Sequence, residues 1–140
     1  MPYLPEGTPL PQPTQDDHEW WEAARRHELV IQRCAGCGTF RHTPRPVCYQ
    51  CRSFDFIWQP VSGRGVIYSY TIAHHAVHPA LKQRVPYTVV VVELPDAGNV
   101  RLVSNLVDDQ DRPPTIGEAV EVVWDDVAED ISLPLFRRAG

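Results

Sequence analysis

The sequence predicts a mostly β protein in which one N-terminal helix and a cysteine-rich ribbon precede a small barrel or sandwich of five or six strands. Three observations support this fold class. All four cysteines fall within residues 34–51, as two C-x-x-C pairs. Segments rich in Val, Ile, Tyr, Phe and Trp recur at close spacing after residue 54, and no helical pattern between them is long enough for a βαβ unit. One amphipathic stretch comes before the cysteines.

The composition is that of a soluble globular protein. A chain of 140 residues with 43% hydrophobic and 22% charged residues is sufficient for one ordinary domain, or a small domain with an appendage. No apolar run approaches the roughly twenty residues that a membrane span needs. The start "MPYLPEGTPLPQPTQ" lacks the basic and apolar regions of a secretory signal. We therefore expect a cytoplasmic protein, in a reducing compartment where paired cysteines bind metal or act in redox chemistry more often than they form disulfides.

The net charge of −5 is unevenly distributed. Residues 1–65 balance seven basic against seven acidic side chains, whereas residues 66–140 hold six basic and eleven acidic ones. Nucleic-acid binding draws most of its affinity from basic side chains at phosphates. We therefore expect no nucleic-acid partner, although zinc ribbons and OB barrels both serve that purpose in other proteins and leave it as an alternative.

The first 28 residues are expected to form a leader and a helix. Residues 1–13 hold five of the fourteen prolines and should lie loosely over the surface. Thr14 or Asp16 can cap a helix that runs to about His27, with its acids first and its arginines last, as the helix dipole favours. Trp20 and Trp21 fall on one flank of this helix. That flank either packs on the rest of the protein or docks a partner through its tryptophans.

The strands are predicted from composition and turn signals. Residues 29–33 form a short strand that leads into the cysteines. Gly63 and Gly65 mark a junction where a long strand can bend or bulge. Five later segments are β-like and are bounded by Gly-, Pro- and Asp-rich turns: 54–61, 65–73, 86–94, 100–107 and 119–127.

The cysteine pattern predicts a metal site formed by Cys34, Cys37, Cys48 and Cys51. Two residues between the sulfurs of a pair let both thiolates point at one ion, and two such pairs complete a tetrahedron, which indicates structural Zn²⁺. A rubredoxin-like iron site has the same ligands and stays open as an alternative; disulfides or a redox dithiol fit less well. Four thiolates fill the coordination sphere, so we expect no position for substrate.

Several motifs in order resemble one family. They are "LVIQRCAGCGTFRHTPRPVCYQC" after a Trp-Trp helix, "VSGRGVIYSYTIAHHAVHP", "VPYTVVVVEL", "VRLVSNLVD", "IGEAVEVVW" and "LPLFRRA". The chain resembles, from about residue 16 to its end, the zinc-ribbon/OB-fold acyl-CoA-associated family, catalogued as domain of unknown function thirty-five. The resemblance implies a leader and helix over residues 1–28, a rubredoxin-like zinc ribbon over 29–55 and a five-stranded OB-fold barrel over 56–140.

The resemblance also implies partners. Members of this family are accessory subunits or fused domains of thiolase-superfamily enzymes, and some bridge a thiolase to hydroxymethylglutaryl-CoA synthase. The motif "HHAVHPAL" and the proline-rich start are similar to the branch that supports lipid-transfer-protein-like aldolases, which cleave steroid side chains as CoA thioesters by retro-aldol chemistry. This branch implies a hetero-oligomer with an aldolase subunit, and a MaoC-like hydratase fused or associated with it.

No catalytic set is expected in the chain itself. The sequence has no G-x-S-x-G elbow and no cysteine left free as a nucleophile, which argues against a stand-alone thioester hydrolase or transferase. His74, His75 and His78 follow a strand, where neighbours point to opposite faces, so a partner-facing or solvated loop is favoured over a metal site.

Contact with CoA would need cations beside an apolar or aromatic wall. Tyr68, Tyr70 and Tyr87 are the candidate walls, although these tyrosines could equally fill the barrel and the arginines could balance the thiolates. The candidate cations are Arg41, Arg45, Arg64, Lys82 and Arg84.

Overall fold

The N-terminal helix is short, with a local turn before it and a left-handed residue after it. The computed structural model describes residues 3–109 and 112–139, and its first element is helix α1, His18–Arg25. Thr14 donates through its backbone N–H and its hydroxyl to Asp17 Oδ1, at 2.6 and 2.9 Å, and so forms the turn that precedes the helix. The predicted helix is therefore too long at both ends. At its C-terminal end the chain leaves the helix at His27, whose φ of 61° is left-handed.

A three-stranded antiparallel sheet carries the cysteines. Its strands are β1 Val30–Cys34, β2 Phe40–Arg41 and β3 Phe56–Pro60, in the order β2-β1-β3. Strand β3 pairs with β1 along its whole length, from Val30 opposite Pro60 to Cys34 opposite Phe56. The strand that starts at the predicted barrel boundary therefore hydrogen-bonds to the ribbon.

Five antiparallel strands form the barrel. They are β4 Arg64–Ala73, β5 Tyr87–Leu94, β6 Val100–Asn105, β7 Ala119–Ala128 and β8 Ile131–Arg138, in the order β6-β5-β4-β7-β8. The two outer strands approach each other through a parallel bridge between Leu106 and Phe136 and a 2.8 Å bond from Val107 N to Phe136 O. The sheet is therefore nearly closed, as in an OB fold, and this confirms the predicted fold class.

Two glycines let the first barrel strand approach its neighbours. A Cβ atom on Gly65 would lie 2.5 Å from Val92 Cγ1, and one on Gly63 would lie 2.3 Å from Val122 Cγ1. Gly63 also has a φ of +83°, which side chains disfavour. The irregularity of β4 lies further on, because its register against β5 shifts between Ile67 and Ser69. The expected bulge is present in this strand, but the glycines serve close packing instead.

Helix, ribbon and barrel share one hydrophobic core. Ile31 of the ribbon and Ile67, Val92 and Phe136 of the barrel are all 0% exposed, and Trp20 of the helix belongs to the same cluster. The ribbon is thus fixed on the barrel by the burial of apolar side chains.

The leader is held against the barrel at its described end. Tyr3 N donates to the buried carboxylate of Asp125 at 3.0 Å, and Arg84 Nε donates to Tyr3 O at 3.1 Å while its guanidinium lies 3.8 Å from the Tyr3 ring centre. The expectation of a loose leader is therefore wrong at Tyr3. Among the described residues, no helix combines the length and apolarity needed to cross a membrane.

Candidate metal centre and binding clefts

The four cysteine sulfurs converge on one point. All four Sγ atoms lie within 4.8 Å of one another, with Cys34 and Cys51 3.5 Å apart and Cys37 and Cys48 3.7 Å apart. A tetrahedron with Zn–S bonds of about 2.3 Å has sulfurs about 3.8 Å apart. The geometry therefore fits one zinc ion held by all four thiolates.

Backbone N–H groups stabilise the first cysteine as a thiolate. Cys37 N and Gly36 N lie 3.4 and 3.3 Å from Cys34 Sγ, and these bonds, with that of Cys37 foremost, lower the pKa of the Cys34 thiol to about 6. Gly38 closes this turn without contacting sulfur: its N–H donates to Cys34 O at 3.0 Å, and its φ of +78° turns the chain back toward β2.

The second C-x-x-C turn repeats the first with one difference. Gln50 N lies 3.4 Å from Cys48 Sγ, and Arg52 N donates to Cys48 O at 2.9 Å. Arg52 stands where the first turn has Gly38, and its φ is 65°. A non-glycine residue in this left-handed conformation costs on the order of 1 kcal/mol. The second turn is therefore strained where the first is not.

The metal site is structural, and histidines do not extend it. In the described parts of the chain, the four cysteines are the only group of three or more His, Cys, Asp or Glu side chains positioned to hold a metal ion. His78 instead caps the short helical turn Pro79–Leu81, its Nδ1 accepting from Ala80 N at 3.1 Å. His74 and His75 are exposed. With four thiolates around the ion, no ligand position remains for substrate.

Two predicted cations line one cleft beside the ribbon. We call it the ribbon cleft; its volume is about 510 Å³, and it lies between the ribbon and strand β6. Arg41 is 5% exposed, whereas Arg45 is exposed. The cleft is lined by Phe40, Arg41, His42, Thr43, Arg45, Val47, Tyr49 and Val100.

The other predicted cations lie elsewhere. Arg84 and His74 line a second cleft of about 620 Å³, together with Asp109 and Arg112. Arg64 and Lys82 are exposed and line neither cleft. The candidate walls Tyr68, Tyr70 and Tyr87 do not line either cleft. Sequence reasoning missed Tyr49, which follows Cys48 directly, is 70% exposed and lines the ribbon cleft.

The tryptophans of the helix are divided between packing and surface. Trp20 is 7% exposed and packs edge-on against Trp21, with ring centres 4.7 Å apart. Both line an apolar cleft of about 300 Å³ with His42, Leu102 and Pro134. The packing interpretation therefore holds for Trp20, whereas the half-buried Trp21 stays a candidate for a partner contact.

One histidine–carboxylate pair lies just beyond helix α1. His27 Nε2 lies 2.8 Å from Asp126 Oδ1, and the imidazole stacks on Trp124. The hydrogen bond from His27 lowers the pKa of the Asp126 carboxyl. Among the residues that the structure describes, no hydroxyl or thiol is hydrogen-bonded to this imidazole. The pair therefore lacks a nucleophile and fastens the end of α1 to β7.

Fold and site together define a zinc-ribbon/OB-fold protein. Residues 21–56 match the family described as ChsH2, rubredoxin-like zinc ribbon domain, and residues 58–125 match that described as ChsH2, C-terminal OB-fold domain. A DUF35 domain-containing scaffold protein of Methanocaldococcus jannaschii is 32% identical over 112 residues, which are 79% of this chain and 77% of the relative. The chain belongs to the DUF35 family.

Two longer relatives carry a similar region. A probable enoyl-CoA hydratase alpha subunit of Thermomonospora curvata is 44% identical over 94% of this chain, and a 3-oxo-4,17-pregnadiene-20-carboxyl-CoA hydratase alpha subunit of Mycobacterium tuberculosis is 35% identical over 73% of it. This chain spans only 40% and 31% of those relatives' lengths.

Two solved structures have the same fold. A chain of the Ltp2-ChsH2(DUF35) aldolase superposes with a TM-score of 0.84 at 43% identity, covering 94% of this chain and 100% of that one. A DUF35 protein of unknown function from Sulfolobus solfataricus gives 0.62 at 10% identity, over 89% of this chain and 86% of its own. The second likeness bears on the fold alone.

Proposed function

We propose that this protein is a non-catalytic accessory subunit or domain of a thiolase-superfamily, lipid-transfer-protein-like aldolase. The partner performs retro-aldol cleavage of acyl-CoA thioesters in steroid side-chain degradation, and this chain stabilises it and completes its substrate site. A MaoC-like hydratase is a second associated component. The observation that carries the proposal is the likeness to the DUF35 chain of the Ltp2-ChsH2 aldolase, which extends over the whole length of that chain.

The chemistry of the described residues agrees with an accessory role. All four cysteines converge on the metal site, so none is a free nucleophile. Among the described residues no hydroxyl or thiol is hydrogen-bonded to His27, so the His27–Asp126 pair forms no nucleophile–base set. A retro-aldol reaction needs a base and a group that stabilises an enolate, and in the proposed complex the partner supplies both.

The ribbon presents the features of an interface. Tyr49, Phe54 and Ile57 are 70, 72 and 49% exposed and fall within nine residues of each other in the chain. Arg52, also exposed, lies among them. Aromatic and arginine side chains are enriched at protein interfaces, and exposed apolar patches often mark such interfaces. We assign Phe54 and Ile57 to the surface that the aldolase subunit covers.

Co-expression with the thiolase-like aldolase of the same genome tests the proposal. We expect the two chains to co-purify and the aldolase to lose solubility or activity when expressed alone. Phe54→Ser and Ile57→Ser together should weaken capture at least about tenfold, since each removes buried apolar area at the contact. Ile116→Ser is the matched control, because Ile116 is 65% exposed but lies in the turn before β7. An aldolase that is fully soluble and active alone and ignores this chain refutes the proposal.

A further inference from the structure

We propose that the ribbon cleft binds the phosphate-bearing nucleoside end of a CoA thioester, with Arg41 and Arg45 on the phosphates and Tyr49 against the adenine. This inference rests on the proposed function for the identity of the ligand. The site itself is argued from the charges and burial of the residues that line the cleft.

Arg41 is a buried cation without a counter-charge. Its side chain is 5% exposed, and no carboxylate of the described residues lies within ion-pair distance of it. Nε and Nη2 donate to Arg45 O at 3.3 and 2.9 Å, while Nη1 is buried and has no hydrogen-bond partner. The Phe56 ring centre lies 5.7 Å from this guanidinium, but a buried donor without a hydrogen-bond acceptor is costly, and an anion would satisfy both the donor and the charge. Arg41 therefore leaves one donor for a ligand oxygen.

The second cation is held next to the first. Arg45 N donates to Gln32 Oε1 at 2.8 Å, and Gln32 is 1% exposed. The backbone of Arg45 is thus fixed by two buried side chains, because its carbonyl receives Arg41. The Arg45 guanidinium itself is exposed, and no carboxylate of the described residues pairs with it. One guanidinium at the end of β2 and one on the fixed loop after it suit the planar, bidentate recognition of phosphate oxygens.

The cleft has no negative side chain and offers an aromatic wall. Its lining residues include neither aspartate nor glutamate, whereas the second cleft contains Asp109. Tyr49, 70% exposed, and the apolar Val47 and Val100 provide surface for a base. A base stacked on an aromatic ring gains about 1–3 kcal/mol. A volume of about 510 Å³ lies within the usual range for small-molecule sites. Nucleotide-like chemistry fits these walls better than a fatty chain does.

The surrounding charge also favours an anion here. Residues 29–55 carry four arginines (Arg33, Arg41, Arg45 and Arg52) against Asp55 and a zinc–thiolate centre of net charge −2, so the segment keeps a small positive charge of about +1. The barrel, by contrast, is rich in aspartate and glutamate. An anionic ligand is therefore attracted to the ribbon face and repelled from most of the rest. Because Nη1 of Arg41 is buried, the proposed contact with a phosphate oxygen requires the exposed side chains of the cleft to move on binding.

Calorimetric titration of the metal-loaded chain tests the site. The probes are CoA, ADP and pantetheine at low salt, where exposed charges are least screened. We expect CoA and ADP to bind with affinities within about tenfold of each other, and pantetheine to bind at least about tenfold more weakly. Arg45→Gln should weaken CoA binding by about ten- to a hundredfold, as expected for losing one hydrogen bond to a charged group. Arg64→Gln, an exposed arginine outside the cleft, should change it less than about twofold.

Three further measurements on Arg45→Gln distinguish a damaged cleft from unfolding and from loss of the partner: metal content, melting temperature and capture of the aldolase. Arg45 is exposed, so Arg45→Gln should keep its metal content and melting temperature. Arg45→Gln should also still capture the aldolase. If the parent chain itself fails to capture the aldolase, the proposed function is contradicted, and the titration with CoA still decides whether the cleft is a binding site. The inference is overturned if CoA does not bind, if pantetheine binds as well as CoA, or if both arginine variants behave alike. It is also overturned if Arg45→Gln loses the aldolase but not CoA, because the cleft would then hold a partner carboxylate.

Discussion

Acidification from pH 7 to pH 5 should destabilise the protein through His42. Its imidazole is largely buried, its ring centre lies 5.8 Å from that of Trp20, and its Nδ1 is buried without a partner. Burial lowers the pKa of His42 from 6.5 to about 4. Below pH 6.5 the unfolded chain therefore binds a proton at His42, whereas the folded chain binds it only near pH 4. The free energy of unfolding is thus unaffected by His42 well above pH 6.5 and decreases as the pH falls from 6.5 to about 4.

The two pKa values set the size of the effect. With values of 6.5 and about 4, linkage gives a loss of about 2 kcal/mol at pH 5 and about 3 kcal/mol below pH 4. This is a large fraction of the ~5–15 kcal/mol of an ordinary domain. Urea unfolding followed by tryptophan fluorescence at pH 7.5, 6.5, 5.5 and 5.0 would measure it.

A variant isolates His42 from the metal site. Acid also protonates thiolates and weakens metal binding, but that loss affects parent and variant alike. His42→Phe keeps an aromatic ring in the apolar site and removes the proton, so its loss at pH 5 should be about 2 kcal/mol smaller than the parent's. The exposed His75 is the control, and His75→Gln should keep the full loss. An equal acid loss in the parent and His42→Phe would refute this reasoning.

Three further perturbations test the ribbon and the barrel. The purified protein should be colourless and contain one zinc per chain by mass spectrometry. Chelation or Cys51→Ser should lower the melting temperature sharply, since structural zinc contributes on the order of 10 kcal/mol, and an unchanged temperature would contradict the site. Arg52→Gly should raise the free energy of unfolding in urea by about 1 kcal/mol, because glycine adopts the φ of 65° without steric strain, whereas Arg52→Lys should not. Gly63→Ala should cost about 1–3 kcal/mol more than Gly117→Ala, because both have positive φ but only Gly63 faces Val122 at 2.3 Å; equal costs would exclude the clash.

Patterns with a short range in the chain were sufficient for much of the fold. The cysteine spacing predicts the metal site because two residues per turn is a local constraint. The β-like compositions of residues 86–94 and 119–127 are likewise local, and strands β5 and β7 are confirmed there. The helix end could not be read in this way. Its position depends on His27, which meets Asp126 and Trp124 ninety-odd residues later in the chain.

Sequence reasoning missed the last barrel strand, β8, for a physical reason. Strand β8 carries Pro134 at its centre, and proline is unfavourable inside a sheet because it cannot donate to the ladder. Here the facing strand β6 reaches Pro134 through a side chain, with Ser104 Oγ donating to Pro134 O at 2.7 Å. The barrel is only nearly closed at this seam, so the missing N–H is tolerated. Local propensity contains no information about where a barrel closes.

The division between metal site and binding surface follows from coordination chemistry. Four thiolates satisfy the ion completely, so the reactive side chains of the ribbon are used in holding its two turns together. Those turns, once fixed, keep Arg45 and Tyr49 on a rigid loop above an acidic barrel at no further cost in chain entropy. The ribbon, fixed by its core contacts and its metal, thus holds charged and aromatic side chains in place at the surface, where a flexible loop would not. The chain should therefore act through what it positions, and substitutions at Arg45 or Tyr49 should change binding without changing the fold.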